Sequence, residues 1–501
     1  MRSATSSRKN NLPRCESIGG FPHVTAFPSP SHHGMMGPYG LEPSFSTVLP
    51  TPLISRKTVR EKVSAEDLRG SLPRDLPFLW LDSRFEGEHH LLLGRCWELS
   101  RFPDHWSFKV NGEEREFAFQ PSMAEAIDTI HADWLPSQFE GLELGFLISY
   151  EAGWEWEERR HPRPLERELP LWTIFCPEEM LVLESSGRLT HRHGEVSRFD
   201  FSLPESPQDV EFAKGLKIRG LQNQEEHMEK ICSLKEHIRK GDSFQVNLSQ
   251  TLEGRGKVNA LDWARYAIPR EGGAFSALWQ DSTYQVMSLS PERLLRIEGK
   301  RLITRPIAGT LPRHRNEKPQ DLQSFVAHPK ELAEHNMLID LERNDLGKVS
   351  EPGSVEITEK LTIETLPHVH HLVSQVEGVL KETSGYGEAL EAVFPGGTIT
   401  GCPKLETMHL LDTYEEGPRG PYTGSLGYLS RDTLDSNILI RSALVKEDRV
   451  SMRFGGGIVW DSEPEKEYLE TIAKSRGIVQ SLLEGGAIID PDHRSLRQFF
   501  S

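Results

Sequence analysis

The sequence predicts a mixed α/β fold, with a smaller strand-rich N-terminal part and a larger part in which strands and helices mix. Three observations carry that reading. Between about residues 76 and 207, short apolar runs such as Leu142 to Ile148 and Leu171 to Phe175 alternate with charged loops, as strands do. From Asn223 to Lys240, Met228, Ile231, Leu234 and Ile238 recur at helical spacing, and the segment stops at Gly241. Farther on, strand-like runs around Tyr284 to Leu289 and Ile438 to Val445 are interleaved with helical ones around Glu331 to Leu341 and Glu465 to Leu483.

Taken in order, residues 1–65 stand apart. The first 60 hold eight prolines, nine serines and seven basic residues against only Glu16 and Glu42. Such a segment buries too little apolar surface to offset its ordering entropy, so it reads as a disordered extension. A transit peptide shares the serine-rich, acid-poor composition, but the prolines and the stretch His32 to Gly40 fit an amphipathic targeting helix poorly. Order is expected from about Leu76, with the run Pro77 to Leu81. Residues 66–210 form the N-terminal β-rich region, bounded by the polar, proline-containing stretch Asp200 to Asp209. Residues 211–485 form the larger region, and 486–501 a C-terminal tail.

The 501 residues are 37 % hydrophobic and 27 % charged, which suits a folded protein with an ample core. No apolar run approaches the roughly 18 residues of a membrane span. Lys+Arg 58 against Asp+Glu 75 gives a net charge of -17. That excludes a broad basic face for nucleic acid or anionic membrane, and obliges any anionic substrate to find a local cationic pocket or a bridging metal. Cys15, Cys96, Cys176, Cys232 and Cys402 form neither a C-x-x-C pair nor a zinc spacing, which suits a reducing, cytoplasmic setting.

Several residues could carry chemistry. The run Phe394 to Lys404 is glycine-rich but lacks the Lys-Ser/Thr of a phosphate loop; it is a tight turn before a helix or an anion-binding turn. Glu467 and Glu470 are three apart on a helix, with Lys474 four beyond Glu470. They form a solvated helix face or, with a third carboxylate such as Glu334, a hard oxygen site for Mg²⁺. Glu292 is a strand-end ion-pair residue or, in a dry pocket, a general acid. His370-His371 is a structural pair or a catalytic one.

Seven stretches occur together: Gly241 to Gln250, Ser288 to Arg293, Arg305 to Arg313, Ala333 to Asp345, Val369 to Ser374, Phe394 to Lys404, and Gly455 to Ser462 leading to Glu467. In this order they resemble the chorismate-utilising enzymes, the family of anthranilate synthase component I and aminodeoxychorismate synthase component I. The resemblance implies one large α/β (α+β) fold, an antiparallel β-sandwich flanked by helices, in which the boundary near residue 210 marks no separate folding unit. It implies that Glu334, Glu467 and Glu470 hold Mg²⁺ against the ring carboxylate of chorismate. Glu292 would protonate the departing C4 hydroxyl. Gly309, Thr310, Arg441, Gly456 and Lys474 would hold the two carboxylates with Tyr422 nearby, and His371 would stand beside the reacting ring.

Within the family, members that add water place a lysine base where this chain has Gln245. An amide does not titrate in the relevant range, whereas ammonia needs no base, so Gln245 points to amination. Two aminations remain. Aminodeoxychorismate synthases usually carry a lysine in Pro-Ile-x-Gly-Thr, where this chain has Ala308, as anthranilate synthases do. Leu311, Phe394 to Thr400 and Gly455 to Gly457 resemble the aminodeoxychorismate branch, which is the closer likeness. With Ala308 no covalent capture occurs at that position, so a C4 amine requires ammonia to act at both carbons or another amine to substitute. No cysteine lies in the G-x-C-x-G context of a glutaminase, so a separate glutamine amidotransferase subunit or free ammonia is expected. Family members bind tryptophan near a Leu-Leu-x-Ser element; Trp80 to Ser83 is an imperfect counterpart or a plain strand. A non-catalytic chorismate-binding subunit is the alternative to an enzyme, and Ala308 is its one support.

Overall fold

The computed structural model describes residues 57–60, 63–74, 76–83, 87–115, 121–135, 141–157, 161–193, 211–220, 222–312, 319–326, 329–365 and 369–500. The expected extension up to residue 56 and the expected boundary at 200–209 lie outside the described residues. Two large sheets, of 13 and 12 strands, contain all the described strands. Pairing is antiparallel except where Lys217–Gly220 runs parallel to Ile488–Ile489.

The sheets pack face to face because their strands are apolar on both sides. In Phe78–Ser83, Phe78 and Trp80 join a core that includes Trp263 and Ile268 of the helix Ala260–Glu271, while Leu79 faces the other sheet. In Leu144–Ile148, Phe146 and Ile148 face helices such as Tyr386–Val393 while Leu147 faces inward. Side chains of alternate residues point to opposite faces, so a strand buried on both reads as a continuous apolar run. The layer between the sheets holds Leu79 and Trp279 from one sheet against Leu147, Phe175 and Leu426 from the other. Phe175 meets Trp279 edge-on at 5.4 Å.

Strands from either side of residue 210 are neighbours in both sheets. Phe78–Ser83 lies between Glu88–Leu93 and Phe275–Gln280. Leu144–Ile148 lies between Trp172–Cys176 and Ser425–Leu429. The helix Gln224–Lys240 matches its expected span: Asn223 and Glu226 form a reciprocal capping box, and Gly241 ends it at φ 86°.

Three expectations need correction. Order begins before Leu76, because Lys57–Arg60 pairs with Leu189–His193 and Ala65–Gly70 is a helix capped reciprocally by Ser64 and Asp67. Residues 486–501 are not a loose tail: Ile488–Ile489 joins a sheet, and Leu496 of the helix Arg494–Phe500 is fully buried. The run from Ile438 to Val445 is not one strand. Thr433–Ile438 ends in one sheet and Ser442–Lys446 begins in the other, with Arg441 between them at φ 49°.

Candidate active site

Two crossings of the chain between the sheets build the centre of the site. Gln285–Ser290 belongs to one sheet and Arg293–Glu298 to the other, so Ser290-Pro291-Glu292 is a crossover. The second crossover carries Arg441. They lie side by side, because Gln285–Ser290 pairs with Ser442–Lys446 and Arg293–Glu298 with Thr433–Ile438. Leu289 N–H donates to the Arg441 carbonyl and Ile438 N–H to the Glu292 carbonyl, both at 3.0 Å. Strand pairing thus brings an acid and a base 149 positions apart in sequence into one corner.

Glu292 is buried, and burial pushes its carboxyl up to about 7; Thr398, the Ile307 amide, Lys474 and Arg441 pull against that rise. At neutral pH a large fraction of this carboxyl is protonated, as a general acid requires. Burial lowers the pKa of Arg441, which the Glu292 and Glu271 carboxylates oppose.

The strand Arg449–Ile458 supplies a second wall through Gly455, Gly456 and Gly457. Lys474, on the helix Pro464–Glu484, donates to the Gly455 carbonyl at 3.0 Å and pairs with Glu470 at 2.8 Å. The buried Tyr422 has its hydroxyl over Gly455, and burial raises its pKa to about 12. A side chain at Gly457 would collide with the Gln245 amide and approach Glu334 Oε1; one at Gly456 would approach Glu467 Oε2. The glycine run is therefore the seat on which Gln245, Glu334, Glu467 and Tyr422 converge from different elements.

His371 comes from Val369–Val379, which pairs with Ile307–Pro312 through Ala308↔Leu372 and Thr310↔His371. The register shifts between them, and Gly309, at φ 69°, takes up the extra residue. His371 Nδ1 lies 3.4 Å from the Gly309 carbonyl, an acceptor, so Nδ1 is the protonated ring nitrogen. Burial drives its pKa down to about 4, helped by Arg441 and Lys474. His371 is thus neutral where Glu292 is half protonated.

The three candidate metal carboxylates are not equivalent. Glu467 is buried, Glu334 is half-buried, and Glu470 is exposed and paired with Lys474. Among the described residues no three His, Cys, Asp or Glu side chains converge at metal-binding spacing. The donor chemistry of Glu334, Glu467 and Glu470 nonetheless fits a hard cation, since all would offer carboxylate oxygens.

The sequence reading passed over Asn247, Thr398 and a buried charge network. Arg419 Nη2 donates to the Asn247 carbonyl at 2.7 Å, and its Nη1 to the carbonyl of Ile399 at 2.9 Å and to Thr423 Oγ1 at 3.1 Å. Glu415 pairs with Arg419 and Arg453 and accepts the amide and hydroxyl of Ser249. For Asn247 a signal existed: it lies two residues after Gln245, hence on the same strand face.

Comparisons with known proteins speak to the family. Residues 76–480 match the family model described as chorismate binding enzyme. An anthranilate synthase component I-like protein of Synechocystis sp. is 36 % identical over 355 residues, 69 % of this chain and 73 % of that one. Aminodeoxychorismate synthase component 1 of Klebsiella aerogenes is 34 % identical over 357 residues, 69 % and 78 % respectively. For anthranilate synthase component 1 chains of Haloarcula marismortui, the match spans only about half of each relative. The crystal structure of anthranilate synthase component I from Streptococcus pneumoniae superposes with a TM-score of 0.66 at 26 % identity, covering 78 % of this chain and 91 % of that one.

Proposed function

The chain belongs to the chorismate binding enzyme family, and from that premise we propose that it aminates chorismate as an aminodeoxychorismate synthase component I, with a glutamine amidotransferase subunit supplying the ammonia. The observation that carries the reading is the buried Glu292, its carboxyl raised to about 7, facing Arg441 and Lys474 at the sheet crossover. Two cations beside one protonated acid suit a dianion that must lose a hydroxyl. Against a net charge of -17, this local pair is where an anionic substrate gains attraction.

In this reading Arg441 and Lys474 hold the substrate carboxylates, with the backbone at Gly309, Thr310 and Gly456 and the Tyr422 hydroxyl completing the cradle. Glu292 gives its proton to the departing C4 hydroxyl, which leaves as water while ammonia adds at C2. A second ammonia then adds at C4 and expels the first, and the C4 ammonium so formed returns a proton to Glu292, so the net change is chorismate plus ammonia to 4-amino-4-deoxychorismate plus water. Gln245 takes no proton, and neutral His371 packs beside the ring as a polar, uncharged wall. Glu334, Glu467 and Glu470 would hold Mg²⁺, whose positive charge would neutralise a substrate carboxylate.

The second reading is anthranilate synthase component I, favoured by Ala308. Product analysis separates the two. Purified protein is incubated with chorismate, Mg²⁺ and an ammonium salt. Formation of 4-aminobenzoate only after aminodeoxychorismate lyase is added supports the proposal. Anthranilate fluorescence without the lyase overturns it in favour of the second reading. A protein that binds chorismate without turnover would be the non-catalytic subunit.

A further inference from the structure

Asn247 is 8 % exposed and sits on the strand Gln245–Arg255, on the same face as Gln245. Its carboxamide can face only one way. The Thr398 carbonyl, 3.1 Å from Nδ2, accepts and cannot donate, so the amide nitrogen points to it and Oδ1 points away. Arg419 holds both segments, gripping the Asn247 carbonyl with Nη2 and, with Nη1, the carbonyl of Ile399, the residue after Thr398.

Oδ1 is buried, and among the described residues nothing donates to it. Buried amide oxygens are almost always satisfied, so one left bare inside a candidate site calls for a donor from outside the chain. The space in front of it exists because residue 455 is glycine: a Cβ there would stand 2.5 Å from Asn247 Oδ1 and 2.8 Å from the Tyr422 hydroxyl. The buried Thr398 hydroxyl faces the Glu292 carboxyl and pulls its pKa down, so it is occupied on that side. The carboxylates of a dianionic substrate are acceptors only and cannot answer the Asn247 amide oxygen. An O–H or N–H group can.

We propose that Asn247 Oδ1 receives a hydrogen bond from the reacting donor in this site, an N–H of ammonia or the O–H of the substrate's leaving hydroxyl, which makes Asn247 a substrate-binding residue. The inference rests on the amination reading above. The two donors share one chemistry and differ in which ligand's binding depends on the residue. The acceptor is held in place, because the same guanidinium that anchors Asn247 anchors the turn it bonds.

The test uses the full chain. The Kd for chorismate is measured by calorimetry without ammonium, and the KM for ammonia with ammonium chloride at saturating chorismate. Asn247→Leu, close in shape but without the acceptor, is expected to raise at least one of them by about fivefold or more, the worth of one hydrogen bond. A rise in the ammonia KM alone identifies ammonia as the donor, and a rise in the chorismate Kd alone identifies the hydroxyl. A rise in both supports the acceptor role for both ligands. Smaller changes in both, in a variant that melts like the parent, overturn the proposal. Should Asn247→Leu not fold, Gly455→Ala decides by the same threshold, since it fills the notch from a position whose backbone φ is not left-handed. An unsubstituted protein that neither binds nor consumes chorismate overturns the amination reading itself. Unchanged constants in an active Asn247→Leu protein overturn only the inference.

Discussion

Arg419 grips Glu415 through two parallel contacts, Nε to Oε2 at 2.8 Å and Nη2 to Oε1 at 2.7 Å. Both residues are buried, and Arg453 reaches the same carboxylate at 3.1 Å. Burial alone would push the Glu415 carboxyl up, but the two guanidiniums hold it below its ordinary value. Replacing Glu415 by Gln leaves two guanidiniums facing each other without a counter-charge, at an expected cost of about 3–5 kcal/mol. The midpoint of guanidinium chloride unfolding measures it, and a loss near zero would contradict the buried pairing. The carboxyl is depressed in the folded state. Its contribution is therefore present above the ordinary glutamate range and is lost as pH falls through the folded value.

Glu292 shows the opposite sign. Its folded pKa of about 7 lies above the ordinary 4.5, so the folded state favours the protonated form. Its burial costs nothing at low pH, progressively more as pH rises from 4.5 to 7, and about 3 kcal/mol above that. Glu292→Gln removes this cost. The variant is expected to melt above the parent at pH 8, with the gap closing toward pH 5, while turnover is lost and chorismate binding remains. In the parent, turnover should decline as pH rises through about 7 as the acid loses its proton. Equal melting temperatures at pH 8 would count against a buried, proton-holding carboxyl.

What the sequence could and could not reveal follows from these residues. Helix limits such as Asn223 and Gly241 are local, set by caps within one turn, and they were legible. The segments that carry the family resemblance were also legible, because each is a short run. The neighbourhood of Glu292 and Arg441 was not, since it depends on two crossovers between sheets whose strands pair across long separations. Ile438 to Val445 reads as one strand because both halves are apolar; residues 439–441, with Arg441 left-handed, separate them. Arg419 escaped notice because, although Glu415 and Thr423 lie four residues to either side, the carbonyls it holds at positions 247 and 399 are far away in sequence. The ends were misread for another reason. Lys57–Arg60 and Ile488–Ile489 are short edge strands with no periodicity of their own, ordered by the strands they join.

Lys474 divides binding from stability. Its ammonium donates to the Gly455 carbonyl at 3.0 Å and pairs with Glu470, whose side chain is 51 % exposed. An exposed pair of this kind contributes less than about 1 kcal/mol to folding. Lys474→Met should therefore melt within a few degrees of the parent, yet weaken chorismate binding by about tenfold or more through loss of one charge on a dianion. Calorimetric titration with chorismate checks this, and an unchanged Kd would remove Lys474 from the substrate cradle.

The C-terminal helix should be required for stability. Leu496 is fully buried in the same core as Trp263 and Leu482. Leu496→Ala leaves a cavity there, and a loss of about 2 kcal/mol is expected in thermal or denaturant unfolding. Activity of the folded fraction should be unchanged, because the helix Arg494–Phe500 contributes nothing to the site. A neutral substitution would mean that the last residues are a tail after all.

Magnesium dependence should distinguish Glu467 from Glu470. Glu467 is buried beside Gly456, whereas Glu470 faces solvent and shares its charge with Lys474. If the proposed carboxylate set holds Mg²⁺, chelation should abolish turnover and added Mg²⁺ should restore it. Glu467→Gln should raise the Mg²⁺ concentration for half-maximal turnover by about tenfold or more, since it removes a charged oxygen donor from a hard cation. Glu470→Gln should have a smaller effect on the metal, because part of that carboxylate's charge is already engaged. Direct Mg²⁺ titration calorimetry provides the independent readout. Equal effects of the two substitutions, or turnover that survives chelation, would contradict this assignment.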